Sequence, residues 1–143
     1  MKKVQFWLLV VLVACSNKAL SQDTATQRIL SASDDSAKVI QLADHAFAVS
    51  ASDGKKGMEL YRELMRLSRK LNYPYWIGMS WYNLGFIHAK AADDKESMRN
   101  FDSALVYLKR TDRLDMTSYC HLNIASLAGR LGDTDRKMKH LND

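Results

Sequence analysis

The sequence predicts an all-α fold built from pairs of antiparallel helices repeated along the chain. Three observations carry this. The 143 residues include only 6 glycines and 1 proline, too little punctuation for many short strands joined by turns. Apolar residues recur at three- and four-residue steps, the period of one helical face. A shift of 40 residues also aligns the chain with itself, without a gap, from about residue 37 to the end. Met58, Met98 and Met138 coincide, as do Asp53, Asp93 and Asp133. Large apolar residues align in Tyr61/Phe101/Leu141, Leu42/Tyr82/Leu122, Val39/Met79/Tyr119 and Phe47/Ile87/Leu127, and Asn83 matches Asn123.

The chain opens with an address. Met1-Lys2-Lys3 is basic, and Val4 to Ala14 is an apolar run. Such a run is too short for a bilayer core, which needs about 20 residues, but suits a secretory signal peptide. Ala19-Leu20-Ser21 supplies small residues for cleavage before Gln22, so residues 1–21 form the expected leader. Leu12-Val13-Ala14-Cys15 resembles a bacterial lipobox, and in that alternative residues 1–14 are removed and Cys15 is lipidated. Either reading predicts export to the periplasm or cell envelope. A polar linker over 22–35 follows.

Each repeat reads as two helices. The first unit, about 36–73, has helices from Ser36 to Ser50 and from Lys55 to Leu71, around the turn Ser52-Asp53-Gly54. The second, about 74–112, begins at Pro74, which a first helical turn accommodates. Its first helix runs to Ala91, with Trp81, Leu84, Gly85 and His88 on one face. Asp93 and Asp94 stand where the next helix needs a cap, and that helix runs from Lys95 to Arg110 on a stripe of Phe101, Ala104, Leu105 and Leu108. The third unit, about 113–143, has a helix from Asp115 to Leu131 and a second from near Asp135 to Asp143. That last helix has about nine residues where its counterparts have about sixteen, which predicts a fragment of a longer protein.

Trp81-Tyr82-Asn83-Leu84-Gly85 resembles a tetratricopeptide repeat. Trp81, Leu84, Gly85, Ser97, Phe101 and Ala104 match the family's spacing, with His88 in place of its usual tyrosine and no closing proline at Lys109. The third unit keeps Asn123, Ile124, Ala125, Gly132 and Leu141, whereas the first has Asp44 and His45 where leucine and glycine belong. The period exceeds the usual 34. The resemblance implies a right-handed solenoid of hairpins, two full and one partial, in which Gly85 and Ala125 permit close approach and Phe101 and Leu141 fill space between hairpins. It also implies a groove, lined by the first helices, that holds a peptide or protein. Carried onto this chain, Asn83 and Asn123 are the leading contacts, with Met79, Tyr82, Phe86, Lys90, Tyr119, Leu122 and Arg130 on or beside the same face. Two cations one period apart, Lys90 and Arg130, would favour an acidic segment or a terminal carboxylate. An alternative has Asn83 and Asn123 bonding across the interface between units.

Composition and motifs exclude other classes. The formal charge of +5 falls to +2 once Lys2, Lys3 and Lys18 leave with the leader, 18 basic residues then facing 16 acidic, so the electrostatic case for nucleic acid is lost. No HExxH, CxxC, GxSxG, P-loop or GxGxxG is present, and no enzyme activity, metal or cofactor is expected. His88 reads as a packing residue. Cys120 and His121 are helix neighbours about 100° apart, a poor nucleophile–base geometry, and Cys120 reads as a buried small hydrophobe. Asp34-Asp35 and Asp93-Asp94 read as helix caps. The expected function is thus an exported, non-catalytic scaffold for a protein partner. Two alternatives are the extracytoplasmic sensory region of a signalling protein, such as a sensor histidine kinase or helix-turn-helix regulator, and a lipoprotein assembly factor.

Overall fold

The computed structural model of the chain describes residues 20–143, all helices and connecting turns with no strand. The apolar leader and Cys15 lie outside the described residues. The helices are α1 (residues 20–31), α2 (Ser36–Ser50), α3 (Gly54–Lys70), α4 (Pro74–Lys90), α5 (Asp94–Leu108), α6 (Leu114–Arg130) and α7 (Thr134–Asn142). None of these is long and apolar enough to cross a membrane. The chain divides into two compact units, one ending at Ser33 and one spanning Asp34–Asp143. In the first, α1 occupies the expected end of the leader and start of the linker. That stretch has no glycine or proline to interrupt a helix, and the Thr24 and Thr26 hydroxyls donate to the Leu20 and Gln22 carbonyls one turn back.

In the second unit the helices begin and end within two residues of the expected positions, and α2 starts and ends on them. The reason is local chemistry repeated every 40 residues. Asp53, Asp93 and Asp133 each accept a bond from the backbone N–H three residues on, in Lys56, Glu96 and Arg136. Each bond satisfies one of the orphan donors of a helix start. Asp35 does the same for α2 through Lys38. At the far ends of α3, α4 and α6 a residue turns left-handed: Asn72 (φ 55°), Ala92 (φ 59°) and Gly132 (φ 76°). The next N–H then reaches back to a helix carbonyl, Tyr73 to Ser68, Asp93 to His88 and Asp133 to Ala128.

Successive helices pack on one another in chain order from α2 to α7, and α2 also touches α4. Small residues set how close they come. A Cβ on Gly57 in α3 would stand 2.5 Å from Ser50 Cβ and 2.7 Å from Ser50 Cα at the end of α2. A Cβ on Gly78 in α4 would stand 2.7 Å from Leu108 Cγ in α5. Phe101, Ala104, Leu105 and Leu108 of α5 pack with Cys120, Ile124 and Leu127 of α6 in one buried cluster, against which Trp81 also lies. Leu141, expected to fill space between hairpins, is instead 50% exposed. Helix α7 packs on α6 and buries no side chain fully.

Candidate functional site

One concavity lies between α2 and α4. It holds about 260 Å³ and is lined by Phe47, Ser50, Tyr82, Asn83, Phe86, Ile87 and Lys90. Two of its lining rings, Tyr82 and Phe86, pack on a ring that one missing side chain admits. Gly85 leaves room for the Phe101 ring of α5, whose Cε1 would be 2.9 Å from a Cβ at that position. The buried Phe101 ring meets Tyr82 and Phe86 edge-on, both at 5.4 Å between centroids, and those two rings meet each other at 4.9 Å. Edge-to-face pairs at these separations are attractive. Leu84 and Ala104 are buried, and Ser97 donates to the Gly85 carbonyl at 2.8 Å. The packing residues of the repeat motif therefore fix the orientation of Tyr82 and Phe86.

A second concavity of about 340 Å³ lies at the opposite ends of α2 and α4, lined by Ser36, Ile40, Tyr73, Pro74, Tyr75 and Trp76. Ile40 and Phe47 are seven residues apart and share one face of α2, and both are exposed, Phe47 by 69%.

Of the nine residues expected to line a groove, the structure gathers four around the first cavity: Tyr82, Asn83, Phe86 and Lys90. The Asn83 amide donates to the Met79 carbonyl of its own helix at 2.8 Å, while Asn123 makes a long 3.5 Å contact from α6 to the Tyr82 hydroxyl. Burial raises the Tyr82 pKa, and the Asn123 contact opposes the shift. Met79 and Tyr82 pack against the cluster that includes Cys120, Ile124 and Leu127.

The columns that supplied Tyr119 and Leu122 have a different place. Val39 and Leu42 are fully covered, Met79 and Tyr82 are half-covered, and Tyr119 and Leu122 are 53% and 56% exposed. The cover over this column thus falls from α2 through α4 to α6. Arg130 is likewise separate from Lys90. Its Nε and Nη2 donate to Asp94 at 2.9 and 2.6 Å, joining the end of α6 to the start of α5. Arg130 lowers the Asp94 carboxyl pKa by this bond.

The paired carboxylates divide two tasks. Asp35 and Asp93 cap, while Asp34 and Asp94 form ion pairs. Asp34 holds Lys38 at 2.9 Å and Lys70 at 2.8 Å, and these bonds hold its carboxyl at about 2. His88 is partly buried, 3.6 Å from Asp93. Cys120 is fully buried, and burial pushes its thiol up to about 12. Phe47, Ser50 and Ile87 line the cavity without having been expected to. The first unit lacks the motif's leucine and glycine, so only the alignment of Phe47 with Ile87 pointed there. Comparison with known protein families, curated proteins and solved structures finds no match to this chain.

Proposed function

We propose that the chain is an exported, non-catalytic scaffold, a right-handed solenoid of the tetratricopeptide type, that holds an extended peptide segment along α2 and α4. The observation that carries this reading is the pair of apolar cavities between those helices, with Ile40 and Phe47 exposed at their edges. Ligand pockets usually hold about 300–1,000 Å³ and enclose most of a small molecule. Cavities of about 260 and 340 Å³, separate and shallow, suit one side chain each. Seven helical residues rise about 10 Å, and a peptide in the polyproline II conformation, with three residues per turn, brings side chains back to one face about every 9 Å. The ligand is therefore a segment with large apolar side chains three positions apart. Ser50, Asn83 and Lys90 line the first cavity and offer polar partners for its backbone or a carboxylate.

A peptide array that varies the apolar spacing, probed with the chain, tests this. Ile40→Ser with Phe47→Ser removes two exposed anchors without touching the core. A preference for apolar residues three apart, weakened at least tenfold in the double variant, is expected. Equal retention of the same peptides by the double variant would refute the site.

A further inference from the structure

A separate cluster joins the last two helices. His121, in the middle of α6, is 5% exposed, and His140 reaches it from α7. Their Nδ1 atoms are 3.2 Å apart, with the ring planes tilted by 47°. Asp143 brings its Oδ2 to 3.6 Å from His121 Nδ1. One ligand atom from each of the three residues lies within 4.8 Å of the others, and this is a cluster of potential metal ligands among the described residues.

The spacing has a simple reading. Two nitrogens bound to one zinc ion at about 2.05 Å, at the tetrahedral angle, stand roughly 3.3 Å apart. The observed 3.2 Å separation is close to that, and the 3.6 Å carboxylate contact admits a third ligand with little movement. Two imidazoles and a carboxylate suit zinc and its first-row neighbours rather than calcium or magnesium, which prefer oxygen donors alone.

The location supplies a purpose. Helix α7 packs on α6 and buries no side chain fully. A metal ion held by residues of both helices would tie α7 to α6 by coordination. We propose that His121, His140 and Asp143 form a three-ligand site for a first-row transition ion, zinc by ligand chemistry, that pins α7 onto α6. The fourth position is left to water or another donor.

The untagged full chain, stripped with a chelator, is titrated with Zn²⁺ by calorimetry and with Co²⁺ by visible absorption. One saturable ion per chain is expected, with an intense tetrahedral cobalt band and slower amide exchange in α7 when zinc is bound. His140→Ala should weaken zinc binding at least tenfold, and Asp143→Asn several-fold. Both changes lie outside the buried cluster, and matched far-UV spectra establish that the variants fold. Absence of saturable binding, or zinc affinity unchanged in both variants, overturns the proposal and leaves a histidine pair joined only by a hydrogen bond.

Discussion

Substituting Gly57 by alanine tests the closest helix contact in the structure. Alanine favours a helix interior by about 1 kcal/mol over glycine. On an open surface Gly57→Ala would therefore stabilise. Here the new Cβ meets Ser50 Cβ at 2.5 Å and Ser50 Cα at 2.7 Å, whereas carbon pairs rest at about 3.5–4.0 Å. The obstacle includes backbone, so no rotamer change relieves it, and α2 and α3 must part locally by about 1 Å. Overpacking of this kind costs about 1–3 kcal/mol, and the upper end applies when backbone must move. With the propensity gain subtracted, a net loss of about 2 kcal/mol is expected, or roughly 8 °C in Tm for a domain near this size. Gly129→Ala is the matched control. A Cβ there meets only the flexible Lys137 side chain at 3.4 Å, so a gain of up to about 1 kcal/mol is expected. Far-UV thermal and urea unfolding of both variants decides the matter. If Gly57→Ala were as stable as the parent while Gly129→Ala gained, the close packing of α2 on α3 would be refuted.

Two further outcomes follow from ionisable groups. Cys120 is fully buried with its thiol pushed up to about 12, so in a Cys15→Ser variant a disulfide reagent at pH 8 should label it only after unfolding; rapid labelling of that native variant would contradict the buried cluster. Asp34 has its carboxyl held at about 2 rather than 3.8 by Lys70 and Lys38, so its contribution is complete above pH 4 and disappears as pH falls toward 2. The stability gap between parent and Asp34→Asn, measured by urea unfolding, should therefore narrow across that window; a constant gap would remove the ion pairs as its cause.

The helices were legible because each is specified locally. Aspartates 40 residues apart cap α3, α5 and α7, and the 3.6-residue apolar stripe identifies the buried face between them. Gly85 was legible as a point of close approach between helices; that the Phe101 ring is what fills the space it leaves was not. Nor was side-chain pairing between distant helices. Arg130 finds Asp94 at a separation of 36 residues, and His140 finds His121 across 19, intervals that no short motif contains. Tyr119 and Leu122 show a related limit. Apolar columns one period apart locate a repeated position, but not whether it faces a ligand or the next hairpin. Their exposure on α6, against the burial of Leu42 on α2, is a property of packing between helices that the period does not contain.

The bonds around α5 carry a consequence for how the array comes apart. Two charged links bind the last hairpin to it, Arg130 to Asp94 and Arg136 to Asp102, and both are substantially open to solvent. Dissolved ions weaken such links, while the Phe101–Ile124 contact beneath them is indifferent to salt. Brine should therefore loosen the molecule directionally, peeling α7 away first and leaving α2 to α5 closed, so that a protease added at high ionic strength trims from one end.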